Sequence, residues 1–261
     1  MKKKILYSLI FSSILIVLIF LNSKSTRYTG INYSIKSEKI SNFQKIRDFL
    51  RRDKNYKELV NNINAKEKDQ VEKIFNISKW VYKNIEKISL DRNEIVIDSH
   101  PWTIVERKMG ANDQLSDILS VLFVYANFDS FFLINASKYR HSITLFKINN
   151  SWSLVDPYYG IYFLNDKNKF CNLDEFKYKN CIFYHLEYGK ISNNLLKKIF
   201  FNMSFRNLDE LNNYYYIVFK DIPTAKKIDA TNIYLRGGRS YVQKPIHRLI
   251  YQIQKSIKLI N

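Results

Sequence analysis

The sequence predicts an α+β protein, with helices packed on an antiparallel sheet, behind an N-terminal transmembrane helix. Three observations carry this. Apolar residues recur at helical intervals from Phe43 to Ala126. Beyond Asn127 the period changes, and "SFFLIN", "HSITLFKI" and "SWSLVD" are short, β-branched and aromatic. Ahead of both, Met1-Lys-Lys-Lys4 precedes an apolar run from Ile5 to Leu21 interrupted only by Ser8, Ser12 and Ser13. With 46% hydrophobic and 25% charged residues over 261 positions, the chain has the composition of a folded protein with one substantial core.

As a helix, the Ile5–Leu21 run would span about 25 Å, close to the apolar thickness of a bilayer. Residues 1–21 therefore read as a signal anchor or uncleaved signal peptide, since "NSKSTRY" after Leu21 offers a poor small-residue cleavage site. The lysines mark the cytoplasmic side. This gives a single-pass inner-membrane protein whose C-terminal domain lies in the periplasm or outside the cell. The inner membrane is thus an expected partner. No cysteine sits near the segment, which argues against a lipoprotein.

The formal charge of +18 could be a phosphate-binding signature, yet the lysines are scattered and accompany abundant Asn, Ile, Tyr and Phe, as a coding bias would produce. An exported location also removes the usual nucleic acids, so nucleic acid is not the expected partner; anionic lipid or acidic glycan suits the charge better.

Residues 22–40 are polar and aperiodic and read as a stalk, 41–165 as the core, and 166–261 as a β-rich extension ending in an amphipathic helix. In the core, Phe43, Ile46, Phe49 and Leu50 form one stripe. A stronger one runs from Asp69 through Val71, Ile74, Phe75, Ile77, Ser78, Val81, Tyr82 and Ile85. After a loop containing "DSHPW", "MGANDQLSDILSVLF" reads as a turn permitted by Gly110 and a helix capped by Asn112 or Asp113, with Leu115, Ile118, Leu119, Leu122 and Ala126 on its apolar face. Asp113 and Asp117 complement the helix dipole, and Ser116 reads as a solvated helix residue.

A two-residue turn at Asn149-Asn150 would set Ile148 opposite Ser151 and bring His141 and Asp156 onto one face as diagonal neighbours. In the extension, "LNNYYYIVF" and "TNIYLRGGRSYV" read as strands, and Gly237-Gly238 as an anion-binding or ordinary tight turn. The run from Ile246 to Ile260 reads as a helical stripe. Cys171 and Cys181 either close a short loop in an oxidising compartment or remain two separate thiols. Neither has ligand spacing with a histidine, so no metal and no cofactor are expected.

The order of elements, helix "IFNISKWVYKNI", loop, G-x-N-D opening a helix, a strand beginning with His141 and the strand "SWSLVDP", resembles the bacterial transglutaminase-like family of the papain-like superfamily. The likeness covers approximately Lys66 to Phe163 and rests on Trp80, Val81, Gly110, His141, Trp152, Asp156 and Pro157. It implies a transglutaminase-like core in which a cysteine at a helix N-terminus attacks an acyl carbon, a histidine activates it and an aspartate orients the histidine. Those roles fall on Asn112, His141 and Asp156, with Gly110, Asn112, Asp113 and Trp152 lining the ligand cleft. The chain departs from the pattern at the nucleophile, where Asn112 replaces the cysteine.

An amide cannot be activated by His141, so the covalent route is closed by chemistry. The expected function is non-catalytic: binding or scaffolding in the cell envelope, with peptide or acidic glycan as ligand. The alternative is a hydrolase or acyl transferase in which His141 and Asp156 activate water or an unrecognised nucleophile. A buried His141 bonded to Asp156 for structural reasons is the plain account of that pair, but the family order kept around both residues favours a shared inherited cleft, from which catalysis does not follow.

Overall fold

The computed structural model describes residues 2–29, 36–88, 100–134, 141–199, 205 and 207–229. The expectations for "TNIYLRGGRSYV", Gly237-Gly238 and the stripe from Ile246 to Ile260 lie outside them. The described residues form two compact units, one of residues 2–29 and 36–55, the other of 56–88 and all those from 100 on.

In the first unit, helix α1 (Lys2–Asn22) contains the apolar run; its Lys4–Asn22 stretch is long and apolar enough to cross a membrane. Strands β1 (Lys24–Thr29) and β2 (Lys36–Ser41) pair antiparallel, from Lys24 opposite Ser41 to Thr29 opposite Lys36. The segment read as an aperiodic stalk is therefore a hairpin. Ile40 is the one buried apolar side chain among those described on its strands, so pairing left no period-two hydrophobic signal. Arg27 on β1 bonds Glu38 across the pair and reaches Asp48 at 3.3 Å on helix α2 (Asn42–Ile63), which runs on into the second unit.

The second unit is three layers deep. Helix α3 (Gln70–Asn84) begins where Asp69 accepts a 2.6 Å bond from the Val71 N–H, and it buries Ile74, Ile77, Ser78 and Val81, the expected stripe. Short strand β3 (Glu86–Lys87) then pairs in parallel with β4 (Met109–Gly110). Between them lies helix α4 (Pro101–Arg107), which takes in the last two residues of the "DSHPW" stretch expected to be loop. His100 caps it by accepting from the Trp102 N–H at 3.1 Å, and Pro101 supplies a preset first helical position. Helix α5 (Asn112–Tyr125) follows.

A six-stranded antiparallel sheet succeeds it: β5 (Ser130–Ile134), β6 (Ser142–Ile148), β7 (Ser151–Asp156), β8 (Ile161–Leu164), β9 (Ile182–His185) and β10 (Gly189–Lys190), neighbours in space as in sequence. Asn149 and Asn150 both have positive φ, 48° and 62°, as the tight hairpin turn requires, and Ile148 stands opposite Ser151. The register places alternate residues on opposite faces. Phe146, Ile148 and Val155 face the cluster containing α3 and α5, whereas Trp152, Leu154, Ile161 and Phe163 face a second apolar cluster.

That second cluster is closed by helices from the extension: α6 (Leu173–Lys177), α7 (Asn193–Ile199), α8 (Leu208–Val218) and α9 (Ala225–Asp229). The β-rich reading fails for "LNNYYYIVF", which is helical in α8. Leu211, Tyr214, Tyr215 and Val218 recur at i, i+3, i+4 and i+7, and all four are buried. The run of aromatic and β-branched residues raised the strand propensity, and tertiary burial of the helical stripe overrode it. Asn207 caps the helix, accepting from the Glu210 N–H at 3.0 Å.

Cys171 and Cys181 are joined in a disulfide with 5.9 Å between Cα atoms, ten residues apart, tying the approach to α6 to the start of β9. Reducing it should release about 3 kcal/mol of loop-closure stabilisation. Denaturant titration with and without reductant should show the midpoint falling accordingly.

Candidate functional site

Three segments converge at one end of β6 and β7. The first residue of α5 is Asn112, the residue before β6 is His141, and the last residue of β7 is Asp156. Gly110 makes the approach of the first segment feasible by its size. Its backbone needs no left-handed conformation, contrary to the reading of a permissive turn, but a Cβ there would lie 2.9 Å from both Ile104 and Leu115 side chains.

Asn112 is not the cap of α5, nor is Asp113. Ala111 holds the N-cap position, and the start of the helix is secured by Gln114, whose Oε1 accepts from the Ala111 N–H at 3.1 Å and from Arg107 at 2.8 Å. This frees the Asn112 side chain to leave the helix. Its Oδ1 accepts a 2.6 Å bond from the buried backbone N–H of Ser142, and its Nδ2 lies 3.4 Å from His141 Nδ1.

The bond from Ser142 fixes which end of the amide faces His141, and the rest of the network inherits that polarity. Asn112 presents an N–H, so His141 Nδ1 accepts it. The other ring nitrogen, Nε2, then carries the proton and donates it to Asp156 Oδ2 at 2.7 Å. Tyr215 on α8 donates its hydroxyl to the same oxygen at 2.5 Å, while the Tyr158 and Tyr159 N–H groups donate to Oδ1 at 2.9 and 3.0 Å. A neutral histidine and an ionised aspartate satisfy every one of these bonds.

The pair is enclosed. His141 retains 3% of its surface and Asp156 none. The Tyr159 ring stacks on the imidazole at 5.5 Å, and Tyr214, Tyr215 and Phe219 present edges at 5.5 to 5.8 Å. Burial, reinforced by the nearby Asp156 charge, pushes the Tyr215 and Tyr159 hydroxyls far above the usual phenol range, so both remain donors.

Other anticipated site residues fall elsewhere. Trp152 does not line a cleft. It is buried in the core, edge-on to Phe131 at 5.3 Å, because residues 152, 154 and 156 share a face but only the last reaches the strand end. Asp113 stays in the first turn of α5, where its carboxylate accepts from the Gln114 N–H at 3.0 Å. Ser116 is buried, contrary to the solvated reading: four residues past Asn112 it shares that residue's face, and its carbonyl accepts from Thr144 Oγ1 at 3.0 Å.

Sequence reasoning missed Tyr215, hidden in a segment read as strand, and a second cluster around His185. There Nδ1 accepts from the Glu187 N–H at 3.1 Å and Nε2 donates to the Tyr82 hydroxyl at 3.1 Å. Lys87 Nζ lies 3.6 Å above the Tyr82 ring. Burial lowers Lys87 to about 8 and His185 to about 4. No motif marks these partners, which lie about a hundred positions apart in the chain.

The described molecule is thus a mixed α+β protein in which buried His141, Asp156 and Tyr215 form a network completed by the half-buried Asn112. Its sequence matches no protein-family model and no curated protein. Two solved structures resemble parts of it. One is a candidate cysteine protease from Cytophaga hutchinsonii, at 16% identity and a TM-score of 0.35, covering 40% of this chain and 37% of that one. The other is a candidate protease from Parabacteroides distasonis, at 10% identity and a TM-score of 0.32, covering 66% of this chain and 40% of that one.

Two outcomes follow from the geometry. Asn112→Ala leaves the Ser142 N–H buried without an acceptor and should cost about 1–3 kcal/mol in urea denaturation. Because the folded-state pKa of His185 lies near 4, below its ordinary 6.5, the unfolded chain takes up the proton first. This contribution is complete above pH 6.5 and is lost as pH falls toward 4. Melting temperatures measured across that window should drop, and less steeply in His185→Gln.

Proposed function

We propose that this chain is a membrane-anchored, envelope-facing transglutaminase-like protein without the catalytic cysteine, working as a non-catalytic binding or scaffold module for peptide or acidic surface glycan. The observation that carries the reading is the orientation of Asn112. In a working triad of this kind the nucleophile donates its proton to the free lone pair of the histidine. Here that lone pair, on His141 Nδ1, faces the Asn112 amide N–H. An amide proton is too weakly acidic for imidazole to remove, and the nitrogen it sits on is no nucleophile.

Enclosure supports the same reading against a water mechanism. With 3% of its surface exposed and aromatic rings around the imidazole, His141 has little room for a substrate and an attacking water together. The network then serves as a structural clasp joining α5, the sheet and α8. The net charge of +18 favours an acidic ligand over a basic one. Retention of α1 would hold the module at the membrane.

Installing the missing sulfur tests the proposal. The N-terminus of α5 and the facing imidazole should lower the pKa of the thiol in Asn112→Cys below the free value of ~8.5, so the variant should react rapidly with iodoacetamide at pH 7. The parent, whose two cysteines are bonded to each other, should not react. Adding His141→Ala should remove the excess rate. A parent protein that hydrolyses peptide or ester substrates, and stops doing so in His141→Ala, overturns the non-catalytic reading.

A further inference from the structure

The first half of α2 carries an apolar face that no described residue of its own unit covers. Phe43, Ile46 and Leu50 recur at i, i+3 and i+7, which puts them on one side of the helix, and they are 56%, 45% and 60% exposed. Other large exposed hydrophobic residues beyond α1, such as Ile134, Tyr178 and Tyr188, stand apart from one another along the chain. Arg47, Arg51 and Lys54, also exposed, border one edge of the α2 face, Arg47 standing 3.8 Å from Asp48, and the half-buried Asp53 follows Leu50 at its far end. Lys45 is exposed on the opposite side, two residues from Phe43 and so about 200° around the helix.

This face begins at the end of the apolar span. The Asn42 N–H donates to the Ser23 carbonyl at 3.0 Å, and Asn42 Nδ2 donates to the Phe20 carbonyl at 2.9 Å and to Ser23 Oγ at 2.7 Å. Arg27 ties the intervening hairpin to Asp48 on α2. Phe43 therefore starts at the depth where α1 ends. From Phe43 to Leu50 the helix rises about 10 Å, so an upright α2 would carry Leu50 clear of the lipid, whereas a flat one keeps all three side chains level.

We infer that the first half of α2 lies flat in the headgroup layer of the membrane that holds α1, with Phe43, Ile46 and Leu50 in the acyl boundary and Arg47, Arg51 and Lys54 on anionic phosphates. This rests on the reading of α1 as a retained anchor. Lipid is favoured over a protein partner because an apolar stripe bordered by cations, starting where a bilayer-length helix stops, matches both the chemistry and the position of an anionic interface.

The test uses the full-length chain in vesicles of phosphatidylcholine with phosphatidylglycerol. An environment-sensitive thiol dye is placed in turn at Phe43→Cys, Ile46→Cys, Leu50→Cys and Lys45→Cys, the native cysteines being bonded. Lipids spin-labelled near the headgroup should quench positions 43, 46 and 50 equally, with loss of aqueous iodide quenching there but not at 45. Arg51→Gln should shift the Leu50 label toward water, lowering its docked-to-free ratio about fivefold. Iodide quenching at 50 equal to that at 45, in a chain whose intact mass and carbonate resistance show α1 embedded, overturns the inference alone. Shielding of 50 that persists in detergent and rises with protein concentration assigns the face to a second copy and also overturns it. A cellular chain whose mass lacks the residues of α1 overturns the anchor reading itself.

Discussion

Asp156 sits at the end of β7 with no exposed surface, and a carboxylate in that position is tolerable only if donors replace the water it has lost. Four do so among the described residues: the His141 imidazole, the Tyr215 hydroxyl and the backbone N–H groups of Tyr158 and Tyr159. Satisfying this one charge fixes the turn after β7, the residue before β6 and the rotation of α8. Through His141 the constraint extends to Asn112 and the start of α5. The two helical layers on opposite faces of the sheet are thereby pinned at a common point, although their apolar contacts belong to separate clusters.

Geometry that suits a triad also suits a clasp, and the protonation pattern separates the two uses. A histidine acting as base needs an unoccupied lone pair pointed at an acidic proton. His141 offers its lone pair to an amide hydrogen whose orientation is dictated by Ser142, so the resting network is already complete with neutral imidazole. Under the proposed non-catalytic role, the same groups form a junction in which each restrains the next, and substitutions there change stability rather than turnover.

Much of the fold was legible because hydrophobic period is a local signal. The α3 stripe, the apolar face of α5 and the Asn149-Asn150 hairpin are each set by neighbours within one or two turns of chain. His141 and Asp156 could be brought together from register alone, since a two-residue turn leaves one pairing. Asn112 could be placed beside them only through the resemblance. Its hydrogen bonds were misread, because a helix start offers two solutions, an Asn cap or a Gln114 side chain reaching back, and the flanking sequence favours neither. Ser116 was misplaced because α5 is buried on nearly every side, so polarity no longer marks an outer face.

The sequence by itself determined the apolar N-terminal helix, the helices α3 and α5, the strands β5 to β7, and the hairpin that aligns His141 with Asp156; these depend on composition and short-range periodicity. Only the tertiary structure decided that "LNNYYYIVF" is a helix, that Tyr215 closes the Asp156 shell, that Trp152 belongs to the core and that Tyr82 meets His185. The physical reason is the same in each case. These choices are made by burial against partners tens of residues away, and a buried polar or aromatic group takes its role from whichever donor or ring the completed fold brings within reach.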